Sequence, residues 1–257
     1  MKRCDAEALV LETADLQEAD RVVVFLTREH GKKRGAARGA KRRFSRFAGE
    51  LQPLAKVRAC WFEKEGRELV RLSSVELLRA PKRLGSTLEG ILASAYLGES
   101  VATFAQEGEP AETVFRLLDS TVEALESGID RELALRYFES WLLRLAGIFP
   151  PPEGCPRCGR PLVEGAALAA SGESLLCRSC ARENAGALPV SSSALEFWRR
   201  IGRESLARMA ADPPSRPVLA EAEEAAGRIR RHFLQGEIRS YQVLRRTLAD
   251  LEEVERR

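Results

Sequence analysis

Histidine is nearly missing from this chain: His30 and His232 are the only two in 257 residues. Chemistry that depends on several imidazoles, whether a multi-histidine metal site or paired histidine bases, has little to build on. No apolar run approaches the roughly twenty residues that a bilayer helix needs. The most apolar stretch, residues 91–105, is interrupted by Ser94, Gly98, Glu99 and Ser100 and reads as a buried helix. The N-terminus opens with Lys2 and Arg3 but at once meets Asp5, Glu7 and Glu12, so no signal-peptide apolar region follows and a reducing, cytoplasmic setting is expected. Enzyme signatures are missing too: neither G-x-x-x-x-G-K-S/T, nor H-E-x-x-H, nor G-x-S-x-G occurs. Carboxylates are too numerous for any one pair to stand out, and the chain reads as a binding protein, not an enzyme. Net charge is scarce as well, at +3, which together with 44% hydrophobic residues excludes a disordered chain.

That small net charge conceals a segregation. Residues 1–80 hold 18 Lys+Arg against 12 Asp+Glu, whereas residues 81–150 hold 6 against 11. Within the first segment, residues 28–46 carry nine basic side chains and the single acid Glu29. Lys32, Lys33, Arg34, Arg38, Lys41, Arg42, Arg43 and Arg46 supply most of this charge. On a strand Lys32, Arg34 and Arg38 share a face, and Gly35, Ala36, Ala37 and Gly39 between them would let a sugar-phosphate backbone approach. A solvated surface strand is the plainer alternative, but such faces mix signs and this one does not, so the run is a candidate phosphate-binding face. Phe44 and Phe47 lie inside it, placed either to stack on bases or to plug a barrel. A second, dispersed basic set, Arg199, Arg200, Arg203, Arg230 and Arg231, would extend that surface or meet an acidic partner tail.

Periodicity divides the chain into four pieces. Residues 1–80 alternate in short runs rich in β-branched residues, at 8–11, 21–26, 51–62 and 68–78 with the basic run between, and predict a small closed barrel of five strands. His30, beside Gly31, reads as an exposed turn residue. Residues 81–152 turn to helical spacing, with Leu88, Ile91, Leu92, Ala95, Ala102 and Phe104 forming the first stripe. Tyr137, Phe138, Trp141 and Trp198 are expected in a helical core. Residues 153–185 are a cysteine-rich insert, and residues 186–257 resume helices at about 193–201, 217–235 and 240–255, the first opened by Ser193 and Glu196 at capping-box spacing. The architecture expected is multidomain α+β: a small closed N-terminal β-barrel, an α-helical domain, and an inserted four-cysteine zinc-binding module.

The insert carries Cys155 and Cys158, then Cys177 and Cys180, two C-x2-C pairs eighteen residues apart. Each pair can present two thiolates from one tight turn, and Gly159 supplies the backbone freedom such a turn wants. Four thiolates would fill the shell of one tetrahedral zinc ion and leave no position for water or substrate, so the metal would be structural. Two redox disulfides, or cysteines that lie close without function, are the alternatives; a redox pair would be expected in a βαβ context. Cys4 and Cys60 read as core or incidental thiols.

With these residues laid out, the chain resembles the RecO family of bacterial recombination mediators. The resemblance rests on residues 8–13, on 18–31, on the basic run from Arg34 to Phe47, on Leu51 to Pro53, on the helical middle, on the four-cysteine insert, and on Ile238 to Ser240 at the start of the last helix. It implies an OB-fold, a helical domain and a zinc insert. It implies binding of single- and double-stranded DNA, annealing of complementary strands, and cooperation with RecR and the single-strand DNA-binding protein to load RecA, in the bacterial cytoplasm at the nucleoid. The family's basic OB segment falls on Lys32 to Arg46. Two other classes stay open at this point: a zinc-ribbon transcription regulator, which would bind duplex selectively, and a zinc-dependent nucleic-acid enzyme, which would cleave or modify DNA.

Overall fold

The computed structural model describes residues 1–255. Its first five strands are β1 (Lys2–Asp15), β2 (Arg21–Thr27), β3 (Gly31–Ala37), β4 (Lys56–Glu63) and β5 (Val70–Arg79). They close into a barrel in the order β1-β2-β3-β5-β4, antiparallel except where β3 meets β5 at Gly35 and Ala36 opposite Val70 and Arg71. This is the five-stranded OB arrangement that the sequence leads one to expect. One long strand serves two neighbours: β1 pairs with β4 through Lys2–Leu9 and with β2 through Ala8–Asp15. The register shifts between Val10 and Glu12, and a bulge of this kind adds the bend that closure requires. Val10 there exchanges backbone hydrogen bonds with Leu54 (2.7 Å) and Ala55 (3.0 Å). Residues 51–55, expected as the start of a strand, are therefore a non-strand brace with Leu51, Leu54 and Ala55 buried, and Leu54 sits at φ 63°.

Alternation along the strands fills the barrel with Val10, Val23, Phe25, Val57, Ala59, Trp61, Leu72 and Val75. Trp61 is fully buried, meets Phe25 edge-on at 5.4 Å and donates its indole N–H to Glu63 (3.0 Å). His30 is not the exposed turn residue expected: its ring packs edge-on against Trp61 at 5.3 Å, and its backbone N–H donates to Thr27 Oγ1. Strand parity also places Gly35 and Ala37 inward, Gly35 against the Leu72 side chain, so these two residues make room for core and not for a nucleic-acid backbone.

Two helices follow, α1 (Leu88–Phe104) and α2 (Glu112–Glu126), the first capped by Thr87, whose hydroxyl accepts from Gly90 N–H. The buried face of α1 is not the stripe that hydrophobicity predicts. Leu88 and Ile91 are about half exposed, while Ala93, Ser94, Tyr96, Leu97, Gly98 and Val101 face inward. Close approach decides this: a methyl group at Gly98 would lie 2.3 Å from the Leu11 carbonyl oxygen, so the helix presents its smallest residues to β1. The acids of α2 turn toward the barrel. Asp119 pairs with Lys56 (2.9 Å) and with Arg79, Glu123 with Arg79, and Glu112 with Arg28 (2.7 Å).

The chain packs as two compact units, Met1–Glu126 with the last helix, and Ser127–Glu237. The second unit contains α3 (Arg131–Leu145), strands β6 (Ala166–Leu168) and β7 (Leu175–Leu176), α4 (Arg178–Ala181), β8 (Leu188–Val190), α5 (Ser192–Ile201), α6 (Leu206–Ala211) and α7 (Arg216–Leu234). Asp130 caps α3 by accepting from Leu133 N–H (3.0 Å) and takes a two-pronged bond from Arg216. Phe138 and Trp198 lie in the core as expected, whereas Tyr137 and Trp141 are half-buried at its edge. The cap of α5 is Ser191, which accepts from Ala194 N–H, not Ser193: β8 ends at Val190 and the helix starts at once. The chain then returns to the first unit as α8 (Arg239–Glu255). The Glu99 carboxylate of α1 accepts from its first backbone N–H groups at Arg239 (3.2 Å) and Ser240 (2.7 Å). Among the described residues no helix is long and apolar enough to cross a membrane.

Candidate nucleic-acid interface and metal centre

The eight basic residues singled out between Lys32 and Arg46 separate into two groups once folded. The three lysines are engaged within the barrel unit. Lys32 donates to the Ala102 carbonyl (2.6 Å), Lys33 pairs with Glu63 (2.9 Å) and Lys41 with Asp15 (2.7 Å). Glu63 is held below the usual carboxylate range by the Trp61 indole N–H and then by Lys33, and Asp15 by Lys41. The five arginines differ. Arg34, Arg38, Arg42, Arg43 and Arg46 are exposed, and among the described residues no carboxylate pairs with any of them.

The reason is topological. Arg34 lies on the outer face of β3, and the others lie in the turns of residues 38–50 that follow it. The acids of α2 meet only Arg28, Lys56 and Arg79 among the barrel cations, and the strand acids Glu7, Asp15 and Glu63 meet only Lys56, Arg58, Arg21, Lys41 and Lys33. Part of the charge segregation seen in the sequence is thus internal pairing, and within the run what stays exposed and unpaired is arginine.

Folding also adds residues that the linear run does not contain. The short parallel seam of β3 and β5 brings the β4–β5 turn alongside. A groove of about 900 Å³ is lined by Arg38 and Arg42 together with Arg67 and Arg71, with Asp20 and Glu68 as its acids. A second groove of about 650 Å³ holds Lys2, Arg34 and Lys64 at its walls with Glu63, Glu65, Glu68 and Glu107 among them, and Arg67 is common to both. Arg67 and Arg71 are more than twenty residues beyond the basic run, and nothing in the sequence marked them; only the strand order does. The two aromatics part company: Phe47 is buried in the barrel at 2% exposure, and Phe44 stands at 93%.

Of the dispersed set one arginine is buried and three more are engaged with acids or carbonyls. Arg230 is buried and bonded to Glu139 and Glu237, within a network in which Arg136 meets Glu139 and Glu223 (both 3.1 Å). Burying these charges is tolerable only because each meets an opposite one. Arg199 donates to the Pro152 and Leu162 carbonyls, Arg200 pairs with Glu204, and Arg231 pairs with Glu237. Arg203 alone of the five is exposed with no such partner among the described residues.

In the insert, two turns bring four sulfurs together. Cys155 and Cys158 lie on the first, closed by Gly159 N–H to Cys155 O (2.8 Å) with Gly159 at φ 73°; Cys177 and Cys180 flank and enter α4, where Ala181 N–H bonds Cys177 O (2.9 Å). All four Sγ atoms lie within 4.8 Å of one another, and Cys158 Sγ is 3.7 Å from Cys177 Sγ. Metal–sulfur bonds of about 2.3 Å in a tetrahedron imply a sulfur–sulfur edge of about 3.8 Å, so the set fits one four-coordinate ion. The thiol chemistry agrees. Burial works against ionisation of Cys155, but backbone N–H groups of Cys177, Arg157 and Cys158 outweigh it and bring the thiol down to about 6. Cys180 is pushed up to about 12 by the neighbouring Cys158 sulfur, by burial and by the other two sulfurs. Four crowded thiols cannot all ionise against one another; a divalent cation in their midst removes that conflict. Cys4 lies in the barrel core, and Cys60, of opposite strand parity to the inward Ala59 and Trp61, is buried under the Arg3 guanidinium (3.3 Å).

Residues 1–81 match the family model described as recombination protein O N terminal, and residues 85–242 match that described as recombination protein O C terminal. The chain is 35% identical over 235 residues to the DNA repair protein RecO of Anaeromyxobacter dehalogenans strain 2CP-1, covering 91% of this chain and 92% of that one. It is 28% identical over 250 residues to the DNA repair protein RecO of Desulforamulus reducens, covering 96% and 95%.

Proposed function

The chain belongs to the recombination protein O family of DNA repair proteins, and from that premise we propose that it is a recombination mediator. In this reading it binds single- and double-stranded DNA, anneals complementary strands, and with RecR helps load RecA onto DNA coated by the single-strand DNA-binding protein. It works without an active site, in the cytoplasm at the nucleoid.

The observation that carries the proposal is the row of five exposed arginines on the barrel, with Arg67 and Arg71 beside them, left without carboxylate partners among the described residues. Such a face neutralises phosphates and releases their condensed counterions. It also lowers the repulsion between two strands brought side by side, which is the physical content of annealing. Lys32, Lys33 and Lys41 belong to the same DNA-binding set and back the arginines, at the cost of loosening their internal pairs. The Cys155, Cys158, Cys177 and Cys180 thiolates hold one zinc ion, which when bound supplies cross-linking of the two turns and no reaction chemistry.

Phosphate contacts carry no base information, so affinity should not depend on sequence. Fluorescence anisotropy with unrelated oligonucleotides of equal length should give dissociation constants within about twofold of one another, with affinities falling together as salt rises. A strong preference for one duplex sequence would favour a zinc-ribbon regulator instead, and cleavage of the labelled DNA would favour an enzyme.

A further inference from the structure

Phe44 is the most exposed large apolar side chain among the described residues, at 93%. Leaving a whole phenylalanine ring in water forgoes the burial that ordinarily places such a ring in a core. Three features show that it is not simply loose. Its turn is stitched by Arg42 N–H to Gly39 O (3.1 Å), Ser45 N–H to Arg42 O (3.0 Å) and Ala48 N–H to Ser45 O (3.2 Å). The turn is pinned below by Phe47 in the barrel core and by Lys41, whose backbone N–H bonds Ala19 O and whose ammonium pairs with Asp15. The ring itself carries the Arg43 guanidinium at 5.6 Å from its centroid.

Its surroundings select the ligand. Residues 38–49 contain no acid, and Arg42, Arg43 and Arg46, within two residues of Phe44 in sequence, are exposed. An apolar protein surface pressed on this ring would bury those cations without partners. A nucleic-acid strand brings a phosphate for each cation and a flat base for the ring. A duplex keeps its bases stacked inside, so only a single strand can offer one. We infer that Phe44 is a base-stacking platform that gives the basic face a preference for unpaired DNA. This rests on the DNA-binding reading above and adds to it the element that tells one form of DNA from another. Stacking on Phe44 ends when the base pairs with a second strand, so the ring's hold loosens as annealing proceeds.

The test uses the full chain. Phe44→Ala should lower affinity for an unstructured single strand by about tenfold, since one stacked base contributes on the order of 1–3 kcal/mol. It should leave duplex affinity and both salt slopes unchanged, because stacking releases no counterions. Phe44→Trp should bind like the wild type, and its added indole fluorescence should be quenched by single-stranded but not by duplex DNA. Three results would each overturn the inference and leave DNA binding by the arginines standing: equal losses for both forms of DNA, wild-type single-strand affinity in Phe44→Ala, or an unquenched indole in a Phe44→Trp protein that still binds single strands. A wild type that binds neither form would instead remove the DNA-binding reading, and this one with it.

Discussion

The triple variant Arg34→Glu, Arg38→Glu, Arg42→Glu is expected to lose at least about a hundredfold in single-strand affinity near 0.15 M salt. Each phosphate contact contributes about 0.7 to the salt slope on a single strand, so losing three lowers the slope by about two, which alone is worth roughly fiftyfold at that salt. Reversing the sign adds repulsion to the loss. The three side chains make no ion pair among the described residues, so thermal stability should hold to within about 0.5 kcal/mol. Neutralising Lys33 or Lys41 should cost less DNA affinity, since each already spends its charge on Glu63 or Asp15. Anisotropy titrations at several salt concentrations read both quantities. Unchanged affinity and slope in the triple variant would remove the barrel face as the binding surface.

The second large effect concerns the insert. Cys155→Ala with Cys158→Ala removes half the ligands, and a structural zinc site of this size contributes on the order of 10 kcal/mol of apparent binding free energy, most of it folding free energy for the insert. Strands β6, β7 and β8 hold three, two and three residues, too little sheet to stand alone. The doubly substituted protein should contain no zinc, and limited proteolysis should cut within residues 153–185. Helical circular dichroism should fall only slightly, because α3, α5 and α7 pack through Phe138, Leu195, Trp198 and Ala226, which do not depend on the cysteines. Cys158 is exposed, so a chelator should reach the ion and reproduce the same cleavage in the unsubstituted protein. A wild type purified without stoichiometric zinc, or a variant whose insert resists protease as the wild type does, would contradict the assignment.

The two sites differ in how far the sequence alone discloses them. The cysteine pairs are legible because a C-x2-C turn is local: spacing sets the geometry, and only the meeting of the two turns needs the fold. The barrel is legible because β-branched runs with period two have few alternatives. The basic run is visible as a run, but its division into unpaired arginines and engaged lysines is not, since Glu63, Ala102 and Asp15 reach Lys33, Lys32 and Lys41 through tertiary packing. Arg67 and Arg71 join the groove only because β3 and β5 close the barrel in parallel. Helix phase fails in α1, where a face of Ala93, Ser94 and Gly98 outcompetes Leu88 and Ile91 by letting the backbone come close. Periodicity likewise gives no hint that Arg136 and Arg230 lie inside, because a charge reads as surface until its partners are known.

Strand annealing puts the mediator reading to its sharpest trial. Complementary oligonucleotides, each coated with single-strand DNA-binding protein, are mixed and duplex formation is followed by fluorescence. The wild type should speed duplex formation severalfold over the coated strands alone, for any pair of complementary sequences, and the Arg34→Glu, Arg38→Glu, Arg42→Glu variant should not. A wild type that leaves the rate at the level of the coated strands, or a triple variant that anneals as fast as the wild type, would contradict it.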